Sequence, residues 1–446
     1  MLVLDDRENY IKNLGIKDKA LRLHLENPLL AGSELARKLG FTMRQVRNVY
    51  REIRLNKKIQ NYINSLFYQW RIASRFAAEI IKDLAGDKTY WYKLISHRPV
   101  LSRTLEIHPT LGTCEYRCAM CLWSDRNPRR AENFQRDCPL RVKEWSKILK
   151  TACQMGTRKV ILSGGGEPLL NPEVFRVIES AWRLGAKINL YTNGLNIYKL
   201  SNYDWQQLLR LNWIRFSVHS PVLETYANIV GLPHERNLLN RVIDNIKELL
   251  FRKRKGKLKM KVGIGFVIQL QNYHQICKMA EFAAGLGVDF LDIRRDDANI
   301  SKPLTLGQWA IVISQLKLIR QKAVDGDYGA TQISIADSLI ALINGVKLKV
   351  PRAKECFSRI YRPVITPFGV MSPCDLRAEP RFLNMNYILG KPAIEPLHLI
   401  IKRFQSRKIR SNCKVCMPSG RIGNAICRKI FKDYEDGILP SQQPFL

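Results

Sequence analysis

Between residues 104 and about 323, short apolar runs of strand length alternate with longer segments whose apolar positions recur at helical spacing. The runs TLEIHPT, KVILSGG, KINLYTN, WIRFSVH, MKVGIGFVI and DFLDIRR read as strands. Among the intervening stretches, VKEWSKILKTACQMG, VFRVIESAWRLG and ICKMAEFAAGLG read as amphipathic helices, each closed by a glycine suited to a helix C-cap. Six β/α units in succession predict an α/β fold: a parallel sheet closed, or partly closed, as a TIM-like (β/α)6 barrel over residues 104–325. In such folds the ligand site lies at the carboxyl ends of the strands. The loops after the first three strands should therefore share one rim.

The chain on either side has other periods. Residues 1–60 contain SELARKLG, a helix capped by Ser33 and ended by Gly40, followed by TMRQVRNVYREI, where Thr42 and Gln45 are spaced as a capping box. Val46, Val49, Tyr50 and Ile53 share one face of that second helix, and Arg44, Arg47, Asn48 and Arg51 point elsewhere. The pair resembles the DNA-binding helix-turn-helix of bacterial and archaeal regulators; a helical docking domain is the other reading. Residues 61–103 read as a helical linker and 326–446 as a small C-terminal domain.

Apolar residues make up 46% of the 446, which excludes a disordered chain. No apolar run reaches membrane-spanning length, and the opening MLVLDDRENYIKN is acidic where a secretory signal is basic and then apolar. A cytoplasmic protein with no membrane partner is expected, and there eleven cysteines point to metal or redox chemistry before disulfides. Lys and Arg outnumber Asp and Glu by 73 to 39, a net charge of +34 that attracts acidic peptides, phosphorylated molecules or nucleic acid. Residues 1–60 carry a net +6, close to an even share of that charge, so the basicity is diffuse. The densest run, RKRKGKLKMK at 252–261, falls in a helix-to-strand connection on the rim away from the site and reads as a solvated face.

The chemistry is concentrated in TLGTCEYRCAMCLWSD, with Cys114, Cys118 and Cys121 after the first strand. A four-iron, four-sulfur (4Fe–4S) cluster usually takes four cysteines, so a loop offering three leaves one iron open. A zinc site with a distant fourth ligand is the alternative at this point. The second strand ends in SGGGEP: Gly164, Gly165 and Gly166 allow close backbone approach, Glu167 adds a carboxylate, and Pro168 follows. Thr192 and Asn193 end the third strand and Ser217 ends the fourth.

CEYRCAMC after a first strand with GGGEP after a second resembles the radical S-adenosylmethionine (SAM) superfamily, over roughly residues 104–323. The resemblance implies that Cys114, Cys118 and Cys121 hold a catalytic 4Fe–4S cluster whose open iron binds SAM. Reductive cleavage of SAM then gives methionine and a 5′-deoxyadenosyl radical that abstracts a substrate hydrogen. It further implies SAM contacts from Gly164, Gly165, Gly166, Glu167, Pro168, Thr192, Asn193 and Ser217. The family usually has an aromatic residue before the third cysteine; here Met120 stands beside the adenine position, and a thioether can pack on a purine.

A second group resembles the SPASM and Twitch auxiliary-cluster extensions of these enzymes. Cys356, Gly369 and Cys374 fit the opening of the SPASM pattern, and with Cys413 and Cys416 they offer four ligands for one auxiliary 4Fe–4S cluster, Cys427 replacing or supplementing one. A four-cysteine zinc site is the alternative. Cys138, Cys153 and Cys277 receive no role. His219, Asp296 and Asp297 lie near strand ends where they could assist proton transfer, and Arg294 and Arg295 could hold a carboxylate or phosphate. The expected function is hydrogen abstraction from a peptide or protein substrate, one with an acidic leader suiting the charge. A flavodoxin- or ferredoxin-type protein would be the reductant. The alternatives are modification of a nucleotide or nucleic acid engaged by the helix-turn-helix, or a DNA-binding iron–sulfur redox regulator.

Overall fold

The computed structural model describes Tyr90, Lys93 and residues 100–121, 123, 140–233, 237–296, 301–345, 355–378, 388–392, 394–405, 416 and 418–436. The expected helix-turn-helix, most of the linker, Cys138, Asp297 and Cys413 lie outside them. Apart from 430–436, the described residues belong to one compact unit, Ala73–Lys429.

The six expected strands are present: β1 (Thr104–Ile107), β2 (Lys159–Leu162), β3 (Lys187–Thr192), β4 (Trp213–Ser217), β5 (Lys261–Ile268) and β6 (Phe290–Arg295). They pair in sequence order, all parallel. Between them run α1 (Val142–Gln154), α2 (Val174–Arg183), α3 (Asn202–Leu208), α4 (Leu223–Val230), α5 (Leu238–Lys255) and α6 (Ile276–Leu286). Each helix buries its apolar stripe on the sheet; in α1 Trp145, Ile148, Leu149 and Ala152 recur three and four apart. Gly231 and Gly287 end α4 and α6 at φ +72° and +71°, the left-handed cap that the sequence pattern implies.

The parallel sheet continues past residue 325. After α7 (Leu306–Asp325), capped by a reciprocal Thr305–Gln308 box, β7 (Gln332–Ile335) pairs parallel with β6, and α8 (Asp337–Ile343) follows. On the opposite edge β8 (Val364–Ile365) pairs parallel with β1, and β9 (Met371–Ser372) turns back antiparallel. Gly369, at φ +69°, sits in the turn between them and donates its N–H to Thr366 O. The sheet therefore has nine strands in the order β7-β6-β5-β4-β3-β2-β1-β8-β9, with seven successive β/α strands instead of six and open edges among the described residues. Two C-terminal helices, α9 (Leu397–Gln405) and α10 (Pro418–Glu435), complete the described chain. Among the described residues no helix is long and apolar enough to cross a membrane.

Because strand side chains alternate, Leu105, Val160, Ile188, Ile214, Val262 and Leu291 all face the helices and are almost completely buried. The other face carries Glu106, Tyr191, Arg215, Asp292 and Arg294, an unusually polar set for the inside of a parallel sheet. The basic run 252–261 spans the end of α5 and the approach to β5, on the amino side of the strands.

Candidate active site

The loop from β1 and the glycine loop from β2 are laced together. Leu111 and Gly165 form a parallel bridge, Gly112 N–H donates to Gly165 O, and Glu167 N–H donates to Thr113 O at 2.8 Å. The glycines are needed for this approach: a Cβ on Gly165 would stand 2.6 Å from Leu111 Cδ1, and one on Gly166 would collide with the Thr113 carbonyl. The far side of the cysteine loop is fixed to the end of α4. Arg117 N–H donates to Val230 O (2.8 Å) and Ala119 N–H to Ile229 O (3.1 Å). Tyr116, between the first two cysteines, is buried edge-on against Tyr226, whose hydroxyl donates to its own at 3.2 Å.

Within this frame Cys114 is exposed, and Cys118 and Cys121 are half-buried. Backbone amides of Tyr116 and Trp123 donate to Cys114 Sγ and Cys121 Sγ, each at 3.4 Å. Burial, with Glu167 and Glu115 nearby, pushes the Cys114 thiol up to about 12 even though the Tyr116 amide pulls it down, so its thiolate would depend on a bound metal. Half-buried Met120 lies in the turn between Cys118 and Cys121.

Glu167 organises the rim. It is 3% exposed, and its carboxylate accepts from Thr192 Oγ1 (2.6 Å), Leu169 N–H (3.0 Å) and Asn193 N–H (2.7 Å). Burial pushes its carboxyl up to about 7 even though these three donors pull it down. Asn193 then reaches back with Nδ2 to Glu115 Oε2 (3.1 Å) and towards Cys114 Sγ (3.8 Å). The loops after β1, β2 and β3 are thus one hydrogen-bonded body. The carboxylate expected to meet SAM's ammonium group is turned into this network. Pro168 is buried and opens a single 3₁₀ turn that ends at Leu170; Ser217 ends β4 half-buried, opposite Gly265.

No family model matches the chain. A tungsten-containing aldehyde ferredoxin oxidoreductase cofactor-modifying protein of Pyrococcus furiosus is 29% identical over 181 residues, 40% of this chain and 47% of the relative. A probable GTP 3′,8-cyclase of Thermococcus kodakarensis is 25% identical over 271 residues, 55% of this chain and 82% of the relative. The PqqA peptide cyclase of Methylorubrum extorquens is 26% identical over 180 residues, 40% and 42% of the two chains. This chain's relatives are radical SAM proteins. The match spans about half the length of the first of them and less of the third. Streptococcus suis SuiB, crystallised with its precursor peptide SuiA, shares the fold at a TM-score of 0.53, with 16% identity and 75% and 74% of the chains covered.

Radical SAM relatives make the remaining cysteines worth locating. Cys356 precedes a single helical turn, Ser358–Tyr361, on which the first half of α10 packs. Gly423 leaves room for the Tyr361 ring, which a Cβ there would meet at 2.6 Å, and Asn424 Oδ1 accepts from Phe357 N–H at 2.6 Å. One turn on, buried Cys427 comes within electrostatic reach of Cys356, and both, with Cys374, influence Tyr361. Burial pushes the Cys427 thiol up to about 12. Cys416 precedes α10, its carbonyl accepting from Arg421 Nε at 3.1 Å. Among the described residues no three His, Cys, Asp or Glu side chains converge as ligands of a single metal ion. The ligands of a 4Fe–4S cluster must also surround one centre, but each binds a different iron, so their sulfurs stand farther apart than around a single ion.

Two proton-transfer candidates have structural tasks instead. His219 is buried and accepts from Val267 N–H at Nδ1 (3.2 Å), and burial holds it down to about 3, hence neutral. Asp296 Oδ2 accepts from Ser301 N–H and Oγ, both at 2.7 Å. Sequence reading passed over Glu115, Asn196 and Asn245. Asn245 Nδ2 donates to Gly194 O (2.8 Å) and Leu195 O (3.2 Å), supporting the loop after β3 from below. Its signal was a polar residue set in the apolar stripe of Val242, Ile246 and Leu249.

Proposed function

We propose that this chain is a radical SAM enzyme that abstracts a hydrogen from a peptide or protein. The observation that carries the reading is the interlock of the three-cysteine loop with GGGEP through the Leu111–Gly165 bridge and the Glu167–Thr113 bond. Three thiols beside a glycine cradle fit a cluster with one open iron. Cys114, Cys118 and Cys121 would hold it; Gly164, Gly165, Gly166, Thr192, Asn193, Ser217 and Met120 would line the SAM position. A cluster held there would pass one electron from an external reductant to the SAM sulfonium, the chemistry of reductive SAM cleavage. The protein's own part is to fix the loops, with Glu167 as the tie. Four of Cys356, Cys374, Cys413, Cys416 and Cys427 are proposed for one auxiliary cluster, Cys427 gaining weight from lying within electrostatic reach of Cys356.

The named activity of the PqqA relative supports a peptide substrate, and residues 1–60 would recruit its leader. The length matched to the GTP cyclase favours a second reading, a nucleotide substrate. A cytoplasmic site and a flavodoxin- or ferredoxin-type reductant follow from the need for reduced thiols. Anaerobic reconstitution should give about eight irons per chain, and about four after Cys114, Cys118 and Cys121 are all changed to Ala. Dithionite and SAM should release 5′-deoxyadenosine slowly without substrate. A chain that binds only zinc refutes the proposal.

A further inference from the structure

The sheet face opposite Leu105, Val160 and Ile188 carries charged side chains outside the cysteine and glycine loops. Its floor is aromatic: Trp213 lies 5.0 Å from the Tyr191 ring and 6.2 Å, edge-on, from Phe290, and Gly263 leaves the space that Phe290 fills. Towards the carboxyl ends of the strands the face becomes ionic. Arg215 stacks over Tyr191 at 3.9 Å and lies flat against Gly265, where a Cβ would stand 2.9 Å from its Nε. Asp292 Oδ2 accepts from Arg215 Nη1 and, at 2.8 Å, from Arg294 Nε. Across the face Arg362 is paired with Glu106, and it lies within electrostatic reach of both Tyr191 and Arg294.

Arg215 and Arg294 share Asp292, and Arg362 has Glu106 with Asp375 also within electrostatic reach, so the face is close to charge balance and Arg294 holds only half of a shared carboxylate. Burial, and then Arg294 beside it, make the charge on Arg215 costly. Arg215 Nε is buried without a hydrogen-bond partner. Among the described residues Arg294 engages only Nε, and its side chain keeps 47% of its surface open. It stands at the carboxyl end of β6, level with Val267, the end of the strands where the cysteine loop also lies. An arginine held at one N–H with its remaining donors open is built to take an oxyanion through two parallel hydrogen bonds.

We propose that Arg294, backed by Arg215 and Arg362, binds a carboxylate of the substrate: an Asp or Glu side chain of the peptide. This rests on the peptide reading above. The free edge of one guanidinium matches a single carboxylate better than the several charges of a nucleoside triphosphate. The Tyr191–Trp213 floor suits the methylene stem of an acidic side chain.

The test is equilibrium binding to the full-length chain, which requires no turnover. The probes are capped pentapeptides with a central Glu, Asp, Gln or Asn, and GTP. The acidic peptides should bind the wild-type chain about tenfold more tightly than their amides, the scale of one charge-assisted pair. Arg294→Met, which keeps the stem, should reduce that preference to less than about twofold. Arg294→Lys, which keeps charge without the fork, should retain part of it, and serves if the first variant does not fold. Equal binding of acid and amide, or a preference unchanged in Arg294→Met, overturns the site. Tighter binding of GTP than of any peptide overturns the carboxylate assignment. Failure of the radical SAM reading would appear separately, as wild-type protein without iron or 5′-deoxyadenosine.

Discussion

Glu167, found by motif as a SAM contact, also has a place as a tie between loops. Its carboxylate lies between Thr192, Asn193 and Leu169, so its effect on SAM would pass through the loop after β3. Glu167→Gln places an amide N–H₂ against at least one donor now facing oxygen, most directly Asn193 N–H. The apo-protein should lose about 1–3 kcal/mol of stability, the cost of an unsatisfied buried group, together with SAM affinity. Thr192→Val should act in the same direction by about 1 kcal/mol. Urea unfolding of the apo-protein and equilibrium dialysis with SAM decide between the roles. A direct contact to SAM would lower affinity and leave apo stability unchanged. Gly166→Ala should be more severe, because its Cβ meets the Thr113 carbonyl and parts the two loops. The glycines and the glutamate were legible as a cluster of unusual residues at a strand end. Two of the three hydrogen-bond partners were not, because Thr192 and Asn193 come from a loop 25 and 26 residues away whose approach no local pattern encodes.

The strands that the sequence revealed are those with a full apolar run between helices, β1 to β6. β7, QISI, has only two strongly apolar positions, and β8 and β9 have two residues each, too short for any period to register. β8 reaches β1 from more than 250 residues away, with Glu106 opposite Val364, and its local tie is ionic. Burial pushes the Glu106 carboxyl up, but the Arg362 guanidinium, with His108 and Ser163, pulls it down further, well below the usual carboxylate range. A depressed carboxylate contributes stability that is complete above about pH 4.3 and is lost as pH falls below it. Glu106→Gln should therefore cost about 3–5 kcal/mol at pH 7, the scale of breaking a buried ion pair, and much less at pH 3. Urea midpoints at the two pH values measure this. An equal loss at both would show that the residue acts by packing alone.

Across the whole molecule, stability is unevenly distributed. The helices bury their stripes on β1 to β6, where the outward-facing residues are almost wholly enclosed. The segment 355–378 and the first half of α10 have two-residue strands and single helical turns, joined by Gly423 under Tyr361 and Asn424 on Phe357. Cys356, Cys374 and Cys427 lie in this lightly built region. The +34 charge adds general self-repulsion and no local support. A cluster held by these cysteines would stabilise the region by binding the folded form alone. Removing iron with a chelator under anaerobic conditions should therefore raise amide hydrogen exchange in 355–378 and 418–429, with β2 to β5 unchanged. Cys427→Ser should reproduce part of that rise and lower the retained iron if Cys427 is a ligand. The triple Cys114, Cys118 and Cys121 variant should loosen the loop after β1 and leave 355–378 protected. Exchange that rises uniformly on chelation, or only around residues 110–121, would show that the C-terminal cysteines hold no stabilising cluster.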